Sequence, residues 1–282
     1  MTGLIVEGGA SRTYFAVGVM DALLEENIYF DYIGGASAGI ANAVSYASKQ
    51  IGRNIKIGLE YLPLKEYLGK RHMFNPKNRS LYNIDFVFNE IPNKHVPFDY
   101  EEFRKYPGII EAAVTNVKTG KCEYIPITEP EKSWNLIVAS CSLPLVFPMV
   151  KINGNKYLDG GISDAVPFKR AIECGCNKNI VILSRERSYL KSSGGGEKIS
   201  SLAFFRYPEF AAALKNRSNM YNSQRKELFE LEKEGKVMII APQDTTGWQR
   251  LENNPDKIRE FYEKGYNMAK DRMNEIKKYI EE

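Results

Sequence analysis

The sequence predicts an α/β chain, a three-layer α/β/α fold around a mostly parallel sheet with added antiparallel strands, and three observations carry that expectation. Leu4-Ile5-Val6 is a short β-branched run that ends in Gly8-Gly9, and Ala16, Val19, Met20, Leu23 and Leu24 follow at helical spacing. The pattern recurs when Tyr32-Ile33-Gly34 leads through Ser37 into a segment with Ile40, Ala43, Val44, Ala47 and Ile51 on one face. Two strand-loop-helix units in tandem call for parallel strands covered by helices. The third observation is a pair of hairpin signals. Lys118-Thr119-Gly120 separates the runs 109–117 and 122–127, and Asn153-Gly154 folds 150–158 back on itself.

Between 55 and 106 the periodicity blurs into short helices and loops rich in Tyr82, Phe86, Phe88, Phe98, Tyr100 and Phe103. This region reads either as a lid over an acyl pocket or as routine packing. Further on, 180–183 and 237–240 are buried-strand candidates separated by a largely helical stretch. Asn254 as N-cap and Pro255 in the first turn open a final helix whose inner face carries Ile258, Tyr262, Gly265, Ala269, Met273, Ile276 and Ile280. Ser193-Gly194-Gly195-Gly196 looks like a flexible loop. It suggests a core over 1–185 and a C-terminal part over 186–282, largely helical with one further strand and packed on the same core.

A hydrophobic content of 43% over 282 residues supports a well-filled interior. The apolar runs are interrupted well before the roughly 20 residues that a membrane-spanning helix needs. The chain enters a strand-like run at Thr2 without a secretory signal, so a cytoplasmic location is expected. A net charge of +4 from 39 basic and 35 acidic residues gives little attraction to nucleic acid, and no nucleic-acid partner is expected. Cys122, Cys141, Cys174 and Cys176 have neither zinc-site spacing nor disulfide density, so buried reduced thiols are expected. Ile199, Leu202, Ala203, Phe205, Phe210 and Leu214 alternate with Lys198, Arg206, Lys215 and Arg217. This suits either a helix at an anionic lipid surface, giving peripheral membrane contact, or an ordinary core-packed helix. Pro208 argues against one continuous amphipathic helix here.

Gly35-Ala36-Ser37-Ala38-Gly39 matches Gly-x-Ser-x-Gly between a strand and a helix, the context of a nucleophile elbow. The sharp turn demands small neighbours, and Gly35 and Gly39 flank it. The helix N-terminus favours negative charge developing there. The plainer reading is a serine that caps the helix. A nucleophilic serine needs a base, yet the two histidines, His72 and His95, both lie in the irregular region and look solvated. The order Ser, Asp or Glu, His is therefore absent. Asp159 in Leu158-Asp159-Gly160-Gly161 is the best substitute base. Asp-Gly-Gly is by itself an ordinary turn, and it gains interest because Ser37 lacks a partner.

Gly8-Gly9-Ala10-Ser11-Arg12 closes the first strand and opens the first helix, so its N–H groups converge as an anion-binding nest. A nucleotide-phosphate loop would need a Gly-x-Gly-x-x-Gly or Gly-Lys-Ser/Thr pattern, which is missing. An oxyanion hole beside the elbow fits better. Arg12 could steady this loop or meet a lipid phosphate.

Glycine loop with a basic residue, Gly-x-Ser-x-Gly and Asp-Gly-Gly, in that order, resemble the patatin-like phospholipase family, including its bacterial members. The resemblance extends to Ser140-Cys141-Ser142-Leu143-Pro144 and Gly161-Ile162-Ser163-Asp164. It implies a serine lipid acyl hydrolase of phospholipase A or lysophospholipase type, free of metal and cofactor, acting on a lipid or other acyl ester. Ser37 would attack, Asp159 would assist its deprotonation, and an oxyanion loop of Gly8, Gly9, Ala10 and Arg12 would stabilise the charge. Ala10 and Thr13 stand where the family loop usually carries glycine. That departure motivates a rival expectation, a catalytically silent lipid-binding or regulatory protein on the same fold.

Overall fold

In the computed structural model, which describes residues 1–76, 78–192 and 201–281, eight strands form one sheet. They are β1 (Thr2–Val6), β2 (Tyr32–Ala36), β3 (Ile109–Asn116), β4 (Cys122–Pro126), β5 (Val150–Ile152), β6 (Asn155–Asp159), β7 (Lys178–Ile182) and β8 (Val237–Ile240). The run β3-β2-β1-β7-β8 is parallel. Strands β4, β5 and β6 add antiparallel pairs. The β5–β6 hairpin turns at Asn153 (φ 48°) and Gly154 (φ 83°), both left-handed as a two-residue hairpin loop requires.

Alternation along the strands creates the three layers. Leu4, Val6, Ile33, Ile180, Ile182 and Ile240 face one side, where they meet α1 (Tyr14–Glu25), α2 (Ala38–Ala47), α5 (Pro130–Cys141) and α8 (Pro255–Asp271). Ile5, Tyr32, Val181, Leu183, Val237 and Ile239 face the other, against α6 (Phe168–Glu173) and α7 (Pro208–Lys233). Helices α3 (Arg53–Glu60) and α4 (Tyr100–Arg104) lie in the aromatic-rich region, and α9 (Met273–Glu281) closes the chain. Helices α1 and α8 touch backbone to backbone. A Cβ on Gly18 would sit 2.0 Å from Tyr262 O, and one on Gly265 would sit 2.0 Å from Phe15 O. No helix among the described residues is long and apolar enough to cross a membrane.

The register explains how two segments far apart in sequence converge. Strand β2 pairs with β3 up to Ala36 opposite Ala113, while β6 pairs Asp159 opposite Val114. Strand β4 occupies the other edge of β3 over 111–115, so β6 takes up the β2 edge where β2 ends. Asp159 therefore emerges directly beyond the strand that delivers Ser37.

Several expectations need correction. The final helix is two helices, because Arg272 leaves helical geometry between α8 and α9 (φ −99°, ψ 9°). Asn254 does cap the first, accepting from Asp256 N at 2.9 Å. Ile51 lies beyond α2 and is exposed. Pro208 starts α7 rather than interrupting a helix. In that segment Phe210 and Leu214 are buried, whereas Leu202 and Phe205 are exposed. Ser193-Gly194-Gly195-Gly196, Lys198 and Ile199 lie outside the described residues.

Candidate active site

Strand β2 ends one residue before Ser37, and α2 begins one residue after it. Ser37 takes φ 54° and ψ −134°, a conformation that ordinarily belongs to glycine and costs about 1–3 kcal/mol. The flanking glycines answer to space rather than to φ. A Cβ on Gly35 would lie 2.8 Å from Ile40 N, and one on Gly39 would lie 2.3 Å from Val6 O. The turn is clamped by Ser140, whose hydroxyl accepts from Ser37 N (2.8 Å) and donates to Ala113 O (2.8 Å).

The glycine loop lies over this elbow. A Cβ on Gly8 would meet Ala36 O at 2.8 Å and Ser37 Cβ at 3.0 Å, and one on Gly9 would strike Ser184 Oγ at 2.6 Å. Ala10 adopts φ 50° despite its side chain. Its carbonyl accepts from Thr13 Oγ1 at 2.6 Å, and that hydroxyl accepts from Asn42 Nδ2 at 3.0 Å. The two departures from glycine are thus coupled, since the threonine holds the strained alanine in place. Gly9 and Ala10 stand at the start of the 3-10 turn Ala10–Thr13, where N–H groups have no intrahelical acceptor. Ser11 is tied to the C-terminal part through Arg250 O (3.2 Å) and Glu252 O (2.7 Å).

Asp159 is 1% exposed. Its N–H donates to Ser142 O (2.8 Å), and its Oδ1 accepts from Gly161 N (2.7 Å). Its Oδ2 is buried with no hydrogen-bond partner among the described residues. Gly160 and Gly161 do not supply positive φ. The stronger demand is at Gly160, where a Cβ would approach Ala113 O to 2.1 Å. Arg217 Nε donates to Gly161 O at 2.9 Å, a brace from α7. Between the two candidates lies Cys141. Burial, with the charge of Asp159 nearby, pushes its thiol up while contact with the Ser37 side chain pulls it down, and the net shift is upward, keeping the thiol protonated.

Two cavities meet at Ser37. One, of about 150 Å³, is mainly apolar, with Tyr14, Ile57, Leu62, Tyr67, Tyr82, Phe88, Ile91, Trp134 and Phe147 in its wall. Tyr82 stacks on Phe147 with ring centroids 5.3 Å apart. The other, of about 170 Å³, is polar and brings together Gly8, Gly9, Arg12, Ser37, Asp159 and Gly161. Ala10 lines the apolar cavity, while Gly35 and Gly39 lie behind the elbow and line neither. The aromatic-rich region divides: Tyr82 and Phe88 line the apolar cavity, whereas Phe98 and Phe103 pack into the main core.

Neither histidine lines these cavities. His72 is buried rather than solvated, its Nε2 2.9 Å from Lys65 O. His95 lies against the rings of Tyr61 and Phe86. Sequence reasoning missed the clamping role of Ser140, the carbonyl of Ser142 and the brace from Arg217. The available signal was two serines inside an apolar run just ahead of the candidate aspartate.

A three-layer α/β/α sheet with a strained serine between a parallel strand and a helix defines the class of α/β proteins built around an elbow serine. Within that class, the chain belongs to the patatin-like phospholipase family, whose model matches residues 4–172. A second model, a domain of unknown function (DUF6363), matches residues 207–281. The uncharacterized protein YjjU of Escherichia coli is 28% identical over 197 residues, which cover 64% of this chain and 50% of YjjU. Lysophospholipase NTE1 of Meyerozyma guilliermondii is 28% identical over 192 residues, covering 64% of this chain and 12% of that protein. The chain thus spans about half the length of the first of these relatives and a small part of the second. The crystal structure of VipD from Legionella pneumophila aligns at a TM-score of 0.47 with 13% identity, covering 97% of this chain and 67% of that one.

Proposed function

We propose that the protein is a serine lipid acyl hydrolase that cleaves carboxylic esters of phospholipid or lysophospholipid type with a Ser37–Asp159 dyad. The observation that carries this reading is the orphaned Oδ2 of buried Asp159, an acceptor in the same polar cavity as Ser37. A buried acceptor without a donor costs about 1–3 kcal/mol, and a hydrogen bond from the serine hydroxyl to Oδ2 would remove that cost. Catalytic hydrogen bonds that are open at rest commonly close only around substrate.

In this reading the acyl chain enters the apolar cavity and its ester carbonyl reaches Ser37. The hydroxyl oxygen bonds to the carbonyl carbon while its proton passes to Asp159 Oδ2. The N–H groups of Gly9 and Ala10 receive the oxyanion, aided by the N-terminus of α2. Collapse breaks the ester C–O bond, and the alcohol leaves with the proton from Asp159. Water repeats the sequence on the acyl-serine and releases the fatty acid. Ser140 and Arg217 are positioning residues, one for the elbow and one for the Gly161 carbonyl beside Asp159. The C-terminal part, 186–282, belongs to the same catalytic unit, since Ser11 and Gly161 are both held from it. The relative named lysophospholipase supports ester-cleaving lipid chemistry.

A panel of acyl esters tests the proposal. Wild-type protein should release fatty acid, and Ser37→Ala should lower the rate by about 10³-fold or more. Hydrolysis that survives Ser37→Ala unchanged, or a panel on which wild type is inert, would defeat the reading and leave a lipid-binding protein on this fold.

A further inference from the structure

The apolar cavity at Ser37 is not apolar throughout. Its wall carries Arg53 and Asn54 from the first turn of α3, Asn42 from α2, and Arg250 on the side shared with the polar cavity. Among the described residues no carboxylate lines it. Arg53 is 8% exposed. Its Nη1 donates to Ser45 Oγ at 3.0 Å, its Nη2 donates to Val96 O at 3.1 Å, and its guanidinium carbon lies 5.2 Å from the Phe98 ring centroid. All three partners are neutral. Arg53 Nε is buried with no hydrogen-bond partner among the described residues, and the side chain forms no ion pair among them. Burial pulls the guanidinium down to about 10, and the groups that oppose this pull are the phenols of Tyr100 and Tyr67, with no carboxylate among them. It remains a cation at neutral pH.

Helix α2 sets how far this charge stands from the elbow. Ala38, Ala41 and Asn42 line the cavity in successive turns after Ser37, and Ser45, which holds Arg53, lies on the next turn. Ser45 is fixed in turn, since its hydroxyl donates to Asn54 Oδ1 at 2.8 Å and Asn54 Nδ2 donates to Asn42 O at 2.9 Å. From Ser37 to Ser45 the helix advances about 12 Å. About 3 Å of that is taken by a hydrogen bond at the far end. An extended hydrocarbon covers the rest in about seven bonds, at an advance of about 1.25 Å per bond of about 1.5 Å. A methyl-terminated chain of that length would strip water from an uncancelled guanidinium, which is unfavourable. A chain that ends in a carboxylate would supply both the missing acceptor and the counter-charge.

We infer that the apolar cavity ends in a carboxylate-binding subsite at Arg53, so that the preferred substrates are half-esters of a dicarboxylic acid of about eight carbons. The inference rests on Ser37 being the nucleophile and concerns only the acyl side of the ester.

Binding to the full-length Ser37→Ala protein tests the subsite without requiring turnover. The probes are monomethyl suberate, with an ester at one end and a carboxylate at the other, methyl octanoate of the same length, and monomethyl succinate, which is too short to span the cavity. Monomethyl suberate should bind roughly tenfold or more tighter than either of the others, the scale of one charge-assisted hydrogen bond. Arg53→Met should erase that advantage without weakening methyl octanoate, and Arg53→Gln serves if the methionine variant loses its fold. Equal binding of the suberate and octanoate esters, or an advantage untouched by the Arg53 variants, would overturn the subsite. An advantage erased by Arg250→Gln but kept without Arg53 would place the carboxylate in the polar cavity and overturn it as well. Turnover of 4-nitrophenyl hydrogen suberate and 4-nitrophenyl octanoate separates this inference from the reading it rests on. If the binding preference is present but wild type hydrolyses neither ester, the subsite stands and the hydrolase reading falls. If hydrolysis depends on Ser37 but the preference is missing, the hydrolase reading stands and the subsite falls.

Discussion

Two of the seven non-glycine residues with positive φ among the described residues belong to the candidate site. Ser37 and Ala10 both hold positive φ, and each is fixed by a hydroxyl, Ser140 for the first and Thr13 for the second. Ala10→Gly tests this directly, because glycine removes the left-handed penalty of about 1 kcal/mol. Chemical denaturation should show a gain of that size with ester hydrolysis retained, and a loss of stability would mean that the alanine is not strained. Ser37 stood out as a candidate because its motif is contiguous, and Asp159 because a serine without a usable histidine directs attention to the next carboxylate; the fold brings both to one cavity. Arg217 and Ser140 were not legible. Their partners lie 56 and 103 residues away, and no local spacing announces a hydrogen bond across the fold. The solvated setting expected for His72 failed for the same reason, since charged neighbours in sequence do not reveal a fold that buries the ring.

At the scale of elements, periodicity was a good guide wherever an element presents one face to the core. It located all eight strands within a residue or two, and the Asn153-Gly154 turn was readable from its own chemistry. It could not see the break at Arg272, because the apolar residues keep helical spacing across α8 and α9. Nor could it show that α1 is buried on nearly every side, Asp21 included. Asp21 Oδ2 accepts from Gly52 N and Tyr262 OH, each at 3.0 Å, and burial raises its carboxyl to about 6 despite those bonds. The folded chain therefore holds a proton that the unfolded chain gives up near pH 4. This contribution to stability is complete below about pH 4 and is lost as pH rises through about 6. Asp21→Asn should stabilise the protein at pH 7 by about 2 kcal/mol and flatten the dependence between pH 4 and 7. Thermal melts across that range check it, and equal slopes for variant and wild type would contradict the assignment.

Over the whole molecule, catalytic chemistry is proposed for the first two-thirds of the chain, yet the site is assembled by all of it. Strand order brings the ends of β2 and β6 together on one edge of β3, and the C-terminal part reaches back to both loops. Sequence could indicate a mostly parallel sheet, but not the exchange of β2 for β6 along that edge. That exchange depends on a register set by three strands at once.

The most direct measurement of the central claim is the rate at which a fluorophosphonate forms an adduct, located by mass spectrometry. Wild type should carry a single adduct on Ser37. Asp159→Asn should react about 10²-fold more slowly or worse, while His72→Ala and His95→Ala react at the wild-type rate. An adduct elsewhere, full reactivity in Asp159→Asn, or dependence on either histidine would contradict the Ser37–Asp159 dyad.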